Sequence, residues 1–248
     1  MELPGGVSKH AFDIELVNRL PSSFRSYHGE IKYFLKAYVK RHFKIDLTSL
    51  QTINLVHFVD LNTYLPALQI KAEYSTDRVV SNFCGLNRGR IMLNAEVGKR
   101  LFLKGEIINL DINIINLSGV TVKCVFGRIM KTLTIYFDKP FLTEETFRDF
   151  VTKSRDFQGV KKYSETSYSL YIEIPPDLFV PNLRHSKLFK TTYQVQVVVK
   201  LSGCNTSMVL QFKIYLGHIP LSGIPMKPQR KGPYIRDDTT DSCTSFKL

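Results

Sequence analysis

The chain has 248 residues, 44% of them hydrophobic and 23% charged, with a formal net charge of +12. That length can bury a real core as one large or two modest domains, and the balance is that of a globular protein. No apolar run reaches the roughly 18 residues that a membrane-spanning helix needs.

The opening Met1-Glu2-Leu3-Pro4-Gly5-Gly6 lacks the basic and apolar regions of a secretory signal, so a cytoplasmic location is expected. Positive charge is spread along the chain, with no Lys/Arg run interleaved with aromatics, which excludes a nucleic-acid groove. A diffuse positive field fits anionic lipid surfaces or phosphorylated partners, and it fits plain solubility. Cys84, Cys124, Cys204 and Cys243 are widely spaced, so neither a metal site nor a disulfide framework is expected. The six histidines are scattered singly, and no nucleophile elbow, phosphate loop or metal-spaced His/Cys set occurs. The expectation is a non-enzyme without cofactor or metal. Asn116-Leu117-Ser118 and Asn205-Thr206-Ser207 match the glycosylation pattern, read here as chance.

In chain order, Phe12, Ile14 and Leu16 alternate against Asp13 and Glu15, which predicts a short strand. Leu20 to Phe24 reads as a turn, because Pro21 lacks a donor and Ser22 and Ser23 bond locally. After Gly29, the residues Ile31, Tyr33, Leu35, Ala37 and Val39 fall on one side, with Lys32, Phe34, Lys36, Tyr38 and Lys40 on the other. That period of two predicts one half-buried strand. Further strands are expected over Leu50–Val59, Lys71–Val80, Gly89–Leu93 and Ile108–Ile114, with one or two more in Val120–Tyr136. Pro140–Gln158 is read as a charged surface loop with a turn or two of helix, carrying Phe147, Phe150 and Val151 on one side. Tyr168–Ile174, Tyr193–Leu201 and Met208–Leu216 are the last strands, and the final two form a hairpin. Residues 223–248, rich in proline and mixed charge, are expected to be disordered.

Several of these stretches also carry a resemblance. The run Leu20-Pro21-Ser22-Ser23-Phe24, the pair His28-Gly29 and the strand opening Ile31-Lys32-Tyr33 occur in the order seen late in the first domain of the α-arrestins. Asp60-Leu61-Asn62 is similar to that domain's close, and Lys104-Gly105-Glu106 with Asn116-Leu117-Ser118 to a pattern of the second domain. Leu216-Gly217-His218-Ile219-Pro220-Leu221 is similar to the Ile-Gly-Thr-Ile-Pro-Leu that ends it.

The resemblance implies an all-β fold: an immunoglobulin-like β-sandwich of arrestin type, one partial (1–66) and one complete (67–222), with 223–248 as a tail. It implies a non-catalytic cytoplasmic adaptor, peripheral at the plasma membrane or endosomes, that takes part in sorting, endocytosis or ubiquitination of membrane-protein cargo. A structural coat or retromer-like trafficking subunit and a dominant-negative arrestin fragment are the alternatives. The tail's nearest approach to the Pro-Pro-x-Tyr motif is Gly232-Pro233-Tyr234, so a ubiquitin ligase would be reached indirectly. Candidate binding residues, for anionic lipids or phosphate groups, are Lys36, Lys40, Arg41 and Lys44, with His42 among them, and Lys99, Arg100 and Lys104 before the Gly-Glu turn.

Overall fold

The computed structural model describes residues 9, 11–17, 19–64, 66–81, 88–137 and 143–221. Contacts separate Pro21–Ile224 from a second unit made of Met1–Leu20 and Pro225–Leu248. Within that second unit, residues 11–17 form no ladder, and Phe12, Ile14 and Leu16 are exposed. The strand expected at Phe12–Leu16 is therefore not made: alternation supplies a face, but a strand also needs a neighbour for its backbone groups. The expected tail lies outside the described residues.

Unit Pro21–Ile224 opens with two hairpins. β1 (Phe24–Ser26) pairs β2 (Gly29–Ile31), and β3 (Tyr33–Val39) pairs β4 (Leu47–Ile53). The single strand expected from Ile31 to Val39 is thus split at Lys32, and β4 ends at Ile53, earlier than expected, with 54–59 outside any ladder. Two 3-10 turns follow, Leu61–Thr63 and Pro66–Gln69.

A sandwich then forms from β5 (Ala72–Ser81), β6 (Arg88–Val97), β7 (Leu101–Leu103), β8 (Ile107–Leu117), β9 (Val122–Phe137), β10 (Thr143–Lys153), β11 (Phe157–Gln158), β12 (Ser164–Glu173), β13 (Phe189–Leu201) and β14 (Met208–Gly217). One sheet runs β12-β8-β6-β5, and the other β10-β9-β13-β14-β7 with β11 also on β9. All pairs are antiparallel except β7 on β14. The period of two drives this. Ile108, Leu110, Ile112 and Ile114 of β8 and Leu170 and Ile172 of β12 face Val195, Val197 and Val199 of β13 and the Met208-to-Leu216 series of β14 in one core.

The Asn-Leu-Ser end of β8 turns into that core. Asn116 and Ser118 are wholly buried. Asn116 Nδ2 donates to the Val120 and Lys161 carbonyls at 2.8 and 2.9 Å, and its Oδ1 accepts from the Ser118 amide and hydroxyl. Each side-chain polar atom of this pair has a partner, as burial demands.

Thr143–Lys153 overturns the loop-and-helix expectation. The segment is a strand, in register with β9 from Thr143↔Phe137 to Lys153↔Arg128, with a bulge between Phe150 and Thr152. Phe147, Phe150 and Val151 mimic a helical stripe. The 16-residue β9 offers a free edge longer than its other partners need, and pairing along it decides the outcome.

Candidate functional site: a seam between two segments and a basic hairpin

The Pro21–Phe24 turn is held by chain far away in sequence. Ser22 Oγ accepts from the His57 amide at 3.0 Å and from the Asn182 amide at 3.3 Å, while the Ser22 amide donates to the Asn182 carbonyl at 2.9 Å. Ser23 Oγ accepts from the Leu55 amide, and the Tyr33 hydroxyl donates to the Pro21 carbonyl. Phe24 is buried among Leu133 and Ile135 of β9, Leu183, and Phe189 of β13, its ring 5.5 Å from that of Phe189. The His28 ring stacks on Phe147 of β10. Gly29 lies so close that a Cβ there would sit 2.8 Å from Phe189 Cζ. The turn is therefore an anchor that plugs the first hairpin onto the six-stranded sheet.

A second clasp joins Asp60-Leu61-Asn62 to the chain after β14. Asp60 bridges Ile219, the Leu61 amide donates to the Ile219 carbonyl, and Asn62 Nδ2 donates to the Pro220 carbonyl at 2.9 Å. Leu61 is buried with Leu101 and Leu221, and a Cβ on Gly217 would stand 2.5 Å from Leu61 Cγ. His218 sits between. Its backbone amide donates to the Val59 carbonyl at 2.8 Å and its Nδ1 accepts from the Val59 amide at 3.1 Å, so the ring is neutral with its proton on Nε2. Burial first, then the positive Lys104, holds its pKa below the ordinary value.

These contacts tie residues 21–62 to the far end of the chain, using the very residues that carry the resemblance. The family model of the arrestin (or S-antigen) N-terminal domain matches residues 1–62, and that of the arrestin C-terminal domain matches residues 87–221. The chain belongs to the arrestin-domain proteins, the α-arrestins. It is similar to arrestin domain-containing protein 17 of Caenorhabditis elegans, 27% identical over 220 residues that cover 88% of this chain and 50% of that protein. It is also similar to arrestin domain-containing protein 4 of Homo sapiens, 23% identical over 223 residues covering 87% and 50%. The chain spans about half the length of the curated relatives it matches.

In this α-arrestin the candidate basic residues divide by structure. Lys36 lies on β3 opposite Leu50, and Lys36, Lys40 and Lys44 are exposed. Arg41 is half-buried because it folds into its own turn: Nε and Nη2 donate to the Ile45 carbonyl, and the Arg41 amide donates to Asp46 Oδ1. Lys99 is committed inward, 2.9 Å from Glu106 Oε2 with its ammonium over the Phe102 ring. Arg100 Nη2 donates to the Ala67 carbonyl at 3.3 Å, and its backbone ties to Leu68 and Tyr215. Lys104 lies close enough to His218 to act on it electrostatically. The first set is presented to solvent on one hairpin. Lys99 and Arg100 of the second set instead brace the turn between β6 and β7.

Sequence reasoning missed two features. Phe43 and Ile45, at the tip of the basic hairpin, are 98% and 88% exposed, and Phe43 holds a left-handed φ of 54°. Their only signal was two apolar residues between cations in a turn. The outer sheet faces also differ in sign. Glu73, Glu96 and Asp111 lie side by side across β5, β6 and β8, whereas Lys153, Arg128, Gln196 and Gln211 lie side by side across β10, β9, β13 and β14. No group of His, Cys, Asp or Glu side chains among the described residues is placed to hold a metal ion.

Proposed function

We propose that this α-arrestin is a non-catalytic adaptor that works at the cytoplasmic side of a membrane and brings membrane-protein cargo into sorting or endocytosis, reaching a ubiquitin ligase indirectly. The observation that carries the reading is the double clasp. Ser22, Phe24 and Gly29 at one end and Leu61 with Gly217 at the other join residues 21–62 to the strands that follow. This supports reading the first segment as the end of an N-terminal arrestin domain (1–66) seated on a second one (67–222). A rigid pairing of two β units, with loops and strand edges free, presents surfaces to a partner and needs no reactive group.

The test is proximity labelling in cells that express the tagged chain, with Phe24→Ser, which opens the seam, as comparison. Transmembrane proteins enriched by the wild type and lost with F24S support the adaptor. Coat subunits recovered in place of cargo favour the trafficking-coat alternative. Chaperones alone, or a cargo set indifferent to F24S, overturn the proposal.

A further inference from the structure

The β3–β4 hairpin ends in a turn closed by its own hydrogen bonds. The Arg41 guanidinium binds the Ile45 carbonyl and the Asp46 carboxylate binds the Arg41 amide, which fixes the intervening residues without help from the rest of the fold. Held that way, Phe43 takes a left-handed backbone conformation that an aromatic residue rarely adopts, and it stands in water. Ile45 stands beside it. Single exposed apolar residues are ordinary. Here two occupy one tip, on a backbone that pays strain to present them, and His42 packs edge-on to the Phe43 ring at 4.6 Å.

The charge around them is mostly positive. Lys40 and Lys44 flank the tip and are exposed, and Asp46, the one carboxylate in the turn, is engaged by the Arg41 amide. Behind the tip, one face of β3 alternates Phe34 and Tyr38, both about 60% exposed, with Lys36, and Lys40 continues that side toward the tip, whereas Lys32 at the far end is paired with Glu30 at 2.7 Å. At ~3.3 Å per residue the seven paired positions reach about 23 Å. Aromatic rings and lysine stems in alternation suit the boundary layer of a bilayer, where rings sit at headgroup depth and ammonium groups reach outward to phosphate. A shaped protein pocket would reward a specific pattern of donors and acceptors; this tip offers chiefly apolar bulk and an excess of positive charge.

We propose that the Arg41–Asp46 tip is a membrane-contact element: Phe43 and Ile45 enter the interfacial layer of an anionic phospholipid bilayer while Lys36, Lys40 and Lys44 hold its headgroups. This deepens the adaptor reading by naming the surface on which it works. The test contains no cargo, so its outcome is independent of that reading.

The chain contains no tryptophan, so Phe43→Trp in the full chain gives one fluorophore at the tip. Its emission should shift to the blue with vesicles of phosphatidylcholine and phosphatidylserine, be quenched by brominated lipid, and change little with phosphatidylcholine alone. Co-sedimentation of the otherwise native chain should weaken about fivefold for each of Lys40→Ala and Lys44→Ala at low salt, and about tenfold or more for Phe43→Ser with Ile45→Ser. Lys161→Glu with Lys162→Glu, exposed on another loop, should bind at least half as well as wild type. The proposal is overturned by absence of vesicle binding, by binding that F43S/I45S leaves unchanged, or by a blue shift that appears only when a protein partner is added. Should F43S/I45S unfold the chain, the F43W quenching decides alone.

Discussion

His218 makes the seam sensitive to acid, and the effect can be worked from its contacts. The ring accepts from the Val59 amide through Nδ1, with the Phe58 ring edge-on at 5.5 Å and Lys104 as the charged neighbour. Protonation would set two donors against each other at 3.1 Å and leave the Val59 amide without an acceptor, a loss of about 1–3 kcal/mol. The folded-state pKa lies below the unfolded value near 6.5. A depressed histidine pKa means that the unfolded chain takes up the proton first. Stability is therefore complete above about pH 6.5 and falls as pH drops from there through the lowered folded value. Other groups titrate in the same range, so the measurement is a difference. His218→Asn keeps an acceptor near the Nδ1 position but does not titrate. Denaturant unfolding at pH 7.5 and pH 5 should show the wild type losing more than H218N on acidification, by at most about 2 kcal/mol, the ceiling that an unfolded imidazole of pKa near 6.5 sets at pH 5, and by less because the ring is part-exposed. Equal losses in the two proteins would refute the assignment of the seam's acid sensitivity to this ring. So would a larger loss in H218N.

The remaining predictions concern packing. Phe24→Ala removes the plug from the cluster of Leu133, Leu183 and Phe189 and should cost about 3–4 kcal/mol in denaturant unfolding; proteolysis should then cut first near residues 21–39. Gly217→Ala drives a methyl into Leu61 and should lower stability by about 1–3 kcal/mol, with recovery when Leu61 is shortened to Val. Asn116→Ala leaves the buried Val120 carbonyl without the Asn116 donor and removes the bond to the Lys161 carbonyl at the core's edge, and should cost about 2–3 kcal/mol. For the same reason Asn116 should carry no glycan when the chain is passed through a secretory pathway, as mass spectrometry of the peptide would show.

The strands that bury one face were legible in the sequence. Ile108 to Ile114, Tyr168 to Ile174, Tyr193 to Leu201 and Met208 to Leu216 alternate because each has water on one side and the core on the other, and the structure puts strands at all four. Where that asymmetry is missing, the sequence misleads. Phe12 to Leu16 alternates but pairs with no strand among the described residues. Thr143–Lys153 does not alternate cleanly yet is a strand, since its surroundings on both sides are partly wet and β9 supplies the ladder.

The family motifs show the same division. That Leu20 to Phe24 makes a turn follows from Pro21 and the serines, because backbone restriction and short side-chain hydrogen bonds are local. That Ser22 serves Asn182, 160 positions away, and that Phe24 plugs a cluster built by β9 and β13, only the folded chain decides. Likewise the sequence supplied Lys36, Lys40, Arg41, Lys44, Lys99, Arg100 and Lys104 as cations of equal standing. Tertiary structure separated them by giving Lys99 a carboxylate and Arg100 a carbonyl while leaving Lys36, Lys40 and Lys44 facing water. Periodicity records which side of a segment is apolar. Which distant group meets that side depends on packing, whose energy is set by contacts between segments that no single segment contains.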